Sequence, residues 1–281
     1  MRPYIIEKEI ITLSPQQEKM ITSGWGESVV SDTEVLKIVY RSEEIKVRGY
    51  IAYPKTLKQE KIPCIIWNRG GALNRGYIDE FNARGMFGLM ASWGYFVMAT
   101  MYRGSYEKEG KEEFGGVDVD DVLNLIPLAD EFVFADTNLW GIEGWSRGGL
   151  MTYLALKRDN RFKCAVLNGA ITDMRKSLSG ANRIHDLFDH IFNRPITEEE
   201  LDKRSPILFT KQLPQETKYL LIHGGADETI SPTQTIDMAK KFSEEDKTYK
   251  LIIYENGDHF LKSYRKEIDE ERKSWYQKHL K

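Results

Sequence analysis

Two cysteines, nine prolines and five histidines in 281 residues exclude several kinds of protein at the outset. Cys64 and Cys164 each lie inside a short apolar run, Pro63-Cys64-Ile65-Ile66-Trp67 and Cys164-Ala165-Val166-Leu167, so buried free thiols are expected and a disulfide scaffold is not. No charge sign dominates. With 40 Lys and Arg against 43 Asp and Glu, the net charge of −3 gives no electrostatic footprint for nucleic acid or an anionic membrane. No apolar run approaches the ~20 residues of a membrane helix. Glu7, Lys8 and Glu9 interrupt the amino-terminal stretch before a signal-peptide core develops, and a cytoplasmic protein is expected. Of the histidines, His185 and His190 are the nearest pair, and their spacing does not put them well on one helical face, so neither a metal nor another cofactor is expected.

What is present is the material for a core. A length near the upper limit for one core, with 41% hydrophobic and 11% aromatic residues, fits one globular unit with an extension. Residues 1–34, with Gly24-Trp25-Gly26, have no clean period and read as that extension, packed on a main domain spanning 35–281. Val35–Tyr40 and Lys46–Tyr53, separated by the polar turn Arg41-Ser42-Glu43-Glu44, read as an antiparallel hairpin. Short β-rich runs then alternate with helical stretches, the pattern of a parallel sheet with crossover helices. The expected strands are Cys64–Asn68, Tyr95–Thr100, Leu139–Glu143, Cys164–Asn168, Tyr219–His223 and Lys250–Tyr254, with helices near 79–92, 117–130, 148–158, 232–243 and 262–279. Ser231 before Pro232 marks the start of the helix at 232–243, with the proline at its first position. The long interval after Asn168, about 171–215, carries Ile184, Leu187, Phe188, Ile191 and Phe192 at helical spacing and reads as a small helical insertion over the sheet, with a lid-like role.

Gly144-Trp145-Ser146-Arg147-Gly148 fits G-x-S-x-G and lies between an apolar strand and a helix. The pentapeptide alone is a weak signal; strand, sharp turn and helix together present the Ser146 hydroxyl above the sheet at the positive end of a helix. A serine hydroxyl needs a base within hydrogen-bond reach and a carboxylate to orient that base. His259 alone follows the last strand in a short loop, Glu255-Asn256-Gly257-Asp258-His259-Phe260, whereas His223 ends a strand, His279 is near the tail and His185 and His190 lie in the insertion. Asp227, on the glycine-rich loop after the preceding strand, is the expected orienting acid, with Glu228 pointing elsewhere and Asp258 serving the turn. The order Ser146, Asp227, His259 suits this sheet architecture. Donors for the oxyanion are expected from the backbone N–H of Arg147 and from the loop Arg69-Gly70-Gly71 after strand Cys64–Asn68.

With Gly144–Gly149, Tyr102-Arg103-Gly104-Ser105 after a strand, Gly116–Val122 opening a helix, and Ser205-Pro206 before Leu221-Ile222-His223-Gly224, the chain resembles the catalytic domain of the prolyl oligopeptidase family, of the α/β-hydrolase superfamily, over about residues 35–281. The resemblance implies an α/β-hydrolase fold with a mostly parallel, eight-stranded sheet, the insertion following its sixth strand, and hydrolysis of esters or amides through an acyl-enzyme on Ser146, Asp227 and His259. Two features depart from the pattern. About 34 residues precede the hairpin, too few for one blade of the β-propeller that family peptidases carry, which favours an esterase over a gated peptidase. Arg69 stands where many relatives have Tyr or His, and either lends charge to the oxyanion region or a substrate carboxylate, or serves as a structural salt-bridge partner. Tyr102 and Arg103 read as a brace beneath the site, and Asp120-Asp121 as a bracing or solvated helix start.

The expectation is therefore a serine hydrolase acting on a small-molecule ester or a short peptide. A peptidase of the prolyl oligopeptidase type and a non-catalytic ligand-binding relative stand as its alternatives. The oligomeric state is open, a homo-oligomer included.

Overall fold

The computed structural model describes residues 4–179, 188 and 191–281. Nine strands form one sheet: β1 (Ile5–Ile10), β2 (Thr33–Ser42), β3 (Ile45–Pro54), β4 (Ile62–Asn68), β5 (Phe96–Thr100), β6 (Ala135–Trp145), β7 (Phe162–Asn168), β8 (Lys218–Gly224) and β9 (Tyr249–Tyr254). Their order is β1-β2-β3-β5-β4-β6-β7-β8-β9. The first three strands and the β3–β5 pair are antiparallel, and from β5 onward the pairs are parallel. The sheet thus has nine strands where eight are expected, because the extension does more than pack on the body: β1 pairs with β2 at the sheet edge. Apart from Ile5 its side chains are exposed, so β1 carries no burial pattern from which to read a strand.

Ten helices are described: α1 (Pro15–Trp25), α2 (Glu27–Ser31), α3 (Glu80–Ser92), α4 (Asp118–Leu123), α5 (Leu125–Leu128), α6 (Arg147–Arg158), α7 (Met174–Ser179), α8 (Glu198–Lys203), α9 (Thr233–Glu244) and α10 (Arg265–His279). The stretch expected as one helix at 117–130 is α4, α5 and a 3₁₀ turn, Ala129–Glu131. Pro127 has no N–H to return to the preceding turn, so a continuous helix is interrupted there. The start of α9 also differs: Pro232 is its cap rather than its first residue, and the Ser231 hydroxyl reaches Thr233 N–H at 3.4 Å without capping deeper in the helix. The insertion follows β7, since β1 advances the count, and contributes α7, α8 and two 3₁₀ turns. Ile184, Leu187, His185 and His190 lie outside the described residues.

Apolar side chains from successive sheet positions feed two cores, one on each face. Ile66, Ile142 and Leu167 join Leu150, Met151 and Phe242 on one face; Ile65, Trp67 and Val166 join Phe87, Met90 and Tyr276 on the other. Strand β4, Ile-Pro-Cys-Ile-Ile-Trp-Asn, is buried along its whole length, as a central parallel strand covered on both faces must be. Burial pushes the Cys64 and Cys164 thiols far up, and both remain free.

Register decides where the loops emerge. Asn68 pairs with Gly144, Trp145 with Asn168, Asn168 with Ile222, and Gly224 with Tyr254. The parallel strands therefore end level with one another, and the loops after β4, β6, β7, β8 and β9 open onto one edge.

Candidate active site

Strand β6 runs straight into α6 through Ser146, which has φ 57° and ψ −120°. A side chain other than glycine in this region carries strain of order 1–3 kcal/mol, held here by the surrounding structure. Ser146 N–H donates to Asn168 O at 2.8 Å, and its carbonyl accepts from Gly149 N–H at 3.0 Å. The glycines of the motif serve close approach: a Cβ on Gly144 would lie 2.0 Å from Gly148 O, and one on Gly148 would lie 2.0 Å from Asn68 O. The loop after β4 thus rests directly on the first turn of α6. Gly70 stands at the same place, where a Cβ would come within 3.4 Å of Ser146 Cβ.

His259 and Asp227 meet from two neighbouring loops. His259 Nδ1 donates to Asp227 Oδ2 at 2.7 Å, while Asp227 Oδ1 accepts from Thr229 N–H at 2.8 Å and Ile230 N–H at 2.9 Å. Burial opposes the charge on Asp227, but hydrogen bonds from His223, His259 and the Ile230 N–H outweigh it and hold the carboxyl well below the usual carboxylate range. With Nδ1 taken, Nε2 is the ring nitrogen of His259 without a hydrogen-bond partner among the described residues. Gly169, next to the Asn168 that anchors Ser146, lies against this ring, where a Cβ would be 3.5 Å from Nδ1. The Ser146 hydroxyl makes no hydrogen bond among the described residues. Ser146 and His259 line one cavity of about 1040 Å³ together with Gly70, Gly71 and Arg147. Catalytic hydrogen bonds of serine to histidine are commonly long or poorly aligned before substrate binds.

His223 is expected to bond the backbone at a strand end. Its Nε2 is 2.9 Å from Ile230 O and also 3.1 Å from Asp227 Oδ2, and its Nδ1 is 2.6 Å from the Thr235 hydroxyl. Because Ile230 O only accepts, Nε2 carries the proton and Nδ1 receives that of Thr235. Asp227 is therefore held by two imidazoles. His279 packs edge-on to Trp275 at the far end of α10.

Beside the loop Arg69-Gly70-Gly71 lies a cluster that motif reading does not reveal. The Arg69 guanidinium is buried, donates to Met101 O at 3.2 Å and pairs with Glu112 at 2.5 Å. Arg147 also pairs with Glu112, and with Asp118 at 2.6 Å, while its guanidinium sits over the Tyr102 ring at 4.6 Å. Of the two expectations for the Arg69 side chain, the structure gives it the salt-bridge partner. Tyr102 donates its hydroxyl to Arg69 O at 3.0 Å, and Arg103 pairs with the buried Asp121 at 3.0 Å, so both brace the loops beneath the site. Asp120 pairs with Arg158 at the surface. Glu112 and Asp118 are missed by sequence reasoning, since an acid in a loop or helix start reads as solvated; the buried arginines they neutralise touch them directly in space but lie 29 to 43 residues away in sequence.

The backbone N–H groups of Arg147, Gly70 and Gly71 are free of helix and sheet bonding at this edge, as first-turn and loop donors are. Among the described residues no group of three or more His, Cys, Asp or Glu is arranged to hold a metal ion, and no helix is long and apolar enough to cross a membrane.

Comparison with known proteins finds a family, relatives and a shared fold. The profile of the prolyl oligopeptidase family matches residues 81–281. The uncharacterized peptidase YuxL of Bacillus subtilis is 27% identical over 270 residues, which cover 88% of this chain and 39% of that protein. The uncharacterized peptidase YtmA of the same organism is 26% identical, with 80% of this chain and 85% of YtmA covered. Dipeptidyl peptidase 8 of Mus musculus is 27% identical over 76% of this chain and 25% of its own length. The chain thus spans well under half of the first and third of these relatives. Among solved structures, the acylaminoacyl peptidase of Pyrococcus horikoshii superposes with a TM-score of 0.75 at 23% identity, covering 90% of this chain and 42% of that one. That likeness shows the α/β-hydrolase fold. The family profile extends from α3 to the carboxyl terminus and so takes in the parallel strands β5–β9 and the loops that carry Ser146, Asp227 and His259; the chain belongs to the prolyl oligopeptidase family.

Proposed function

We propose that Ser146, His259 and Asp227 act as a catalytic triad that cleaves carboxylic esters and small amides through an acyl-enzyme. Ser146 attacks the carbonyl carbon, His259 Nε2 takes its proton and returns it to the departing group, and Asp227 keeps Nδ1 protonated and stabilises the imidazolium. The N–H groups of Arg147, Gly70 and Gly71 receive the oxyanion, a task in which one donor is commonly worth ~10²-fold in rate or more. The observation that carries this reading is the pairing of a strained Ser146 turn with a histidine already held by an ionised carboxylate in the same cavity.

The inner wall of that cavity favours esters and small amides over an extended peptide. Trp67, Met86, Leu89, Met90 and Ile268 offer hydrocarbon, in which the N–H and C=O groups of a peptide backbone would lose their water without gaining partners. A second reading, cleavage of short peptides, is favoured by the names of the relatives YuxL and YtmA. Labelling with a fluorophosphonate is expected for the native protein and absent in Ser146→Ala. Rates on matched ester and amide pairs of increasing acyl size then separate the two substrate classes: a steep ester preference supports the first reading, and equal or better amide turnover supports the second.

A further inference from the structure

The two walls of the cavity belong to different faces of the sheet. Phe114 and Ile171, beside Ser146, pack in the core shared with α6, whereas Trp67, Met90 and Ile268 pack in the core shared with α3 and α10. On that second face the cavity deepens into a chamber between α3 and α10, floored by Trp67, Met90 and Glu143, which are at most 6% exposed. Glu143 is fully engaged there: it pairs with Arg272 at 2.7 Å and accepts from the Tyr276 hydroxyl at 2.9 Å. The floor therefore offers no unpaired charge to a ligand.

The position of the chamber decides which part of a substrate enters it. Phe260, Leu261 and Lys262, the residues that follow His259, form the chamber wall nearest the site. Trp145 fixes that wall by donating its indole N–H to His259 O at 3.0 Å. The imidazole delivers its proton to the departing atom, so the group beside the histidine loop is the leaving group, and the acyl portion retained on Ser146 lies on the opposite side, toward Ile171. On the outside the chamber is bounded by the amino-terminal helix. The Trp25 indole covers Gly85 of α3, where a Cβ would come within 2.7 Å of it, and the Arg265 guanidinium lies 4.1 Å above its ring.

We propose that the chamber between α3 and α10 is the leaving-group site, that it takes an apolar alkyl or arylalkyl alcohol or amine, and that α1 supplies its outer wall through Trp25. The proposal rests on the acyl-enzyme reading above. In the step concerned, the Ser146 Oγ–acyl carbon bond forms, the carbon–oxygen or carbon–nitrogen bond of the substrate breaks, and the proton taken from the serine passes through His259 to the departing atom. A neutral alcohol or amine is left in the chamber, and water then releases the acid.

The test uses acetyl esters of methyl, butyl, hexyl and benzyl alcohol against methyl esters of increasing acyl length. With the acyl group fixed, kcat/KM is expected to rise with the alcohol by up to about fourfold per buried methylene. Leu89→Trp, which fills the chamber from α3, is expected to cut the hexyl-to-methyl ratio about tenfold, and Met86→Ala to move the favoured alcohol to longer chains. A second readout needs no turnover: hexan-1-ol is expected to bind Ser146→Ala by calorimetry, and more weakly when Leu89→Trp is added. Fluorophosphonate labelling of Ser146 with a flat alcohol series overturns this proposal alone, as does an effect of Leu89→Trp confined to the acyl series. Loss of labelling overturns the acyl-enzyme reading as well.

Discussion

At the scale of single residues, the decisive atom is Asp227 Oδ2, which accepts from two imidazoles while Oδ1 accepts from two backbone N–H groups. In Asp227→Asn the backbone donors keep the amide oxygen, which turns the NH₂ toward His259. Nδ1 then has to accept, its proton moves to Nε2, and the nitrogen facing the cavity can no longer take a proton from serine. We expect kcat to fall ~10³–10⁴-fold with the fold retained, checked by steady-state rates and circular dichroism on the same sample. The depressed carboxyl has a consequence for pH. The stabilisation that Asp227 gains from ionising is complete above the ordinary Asp value of about 3.9 and is lost only as pH falls through its lower folded value. From about pH 4 to 8 Asp227 stays ionised. Asp227 should therefore add nothing to the acid limb of kcat/KM above about pH 4, so that limb is expected to have a slope of one; a slope of two would mean that the carboxyl titrates as well.

At the scale of elements, legibility followed burial. Strands β4, β5, β7 and β8 were readable because both faces are covered and their sequences are largely apolar, and β6 through its buried second half, its residues Asp136-Thr137-Asn138 being polar and partly exposed. Strand β1 was not readable, since a solvent-facing edge strand such as Ile5–Ile10 obeys pairing to β2 rather than any pattern of its own. The turn of the hairpin was readable only roughly: the strands run to Ser42 and from Ile45, leaving a two-residue turn in which Glu43 has a φ of 54°. Glycines were readable as a motif but not by role, and the structure separates them. Gly148→Ala sets a Cβ 2.0 Å from Asn68 O and 2.9 Å from Arg69 O, backbone atoms that move only if the end of β4 and the loop after it move. We expect about 2–3 kcal/mol of lost stability in urea unfolding, with a fall in kcat as the loop is displaced. Gly24, in α1, has nothing within 4 Å of the same added atom, and Gly24→Ala is expected to gain about 0.5–1 kcal/mol in the same assay.

At the scale of the whole molecule, buried charge ties the layers together, and this was the least legible feature. An arginine or glutamate gives no sign in the sequence that it will be buried, because its partner sits on a different element. Arg69, Glu112, Arg147 and Asp118 join the loop after β4 to α6 and α4, and Glu143 with Arg272 joins the central strand β6 to the last helix. The second pair is the cleaner one to test, since it lies away from the reacting atoms. Arg272→Met leaves the Glu143 carboxylate buried with only the Tyr276 hydroxyl and the Asn168 amide as donors, and should cost about 3–5 kcal/mol. Glu143→Gln in the same chain removes the uncompensated charge while keeping a carbonyl acceptor for the Asn168 amide and an NH₂ from which the Tyr276 hydroxyl oxygen can accept. If burial of a lone charge is what makes the single change costly, the double variant recovers about 2 kcal/mol or more of the loss, read from urea midpoints across the four-member cycle. If the cost instead comes from the stem of Arg272 packing under Trp93, whose ring its guanidinium approaches at 5.3 Å, the two changes add and no recovery appears.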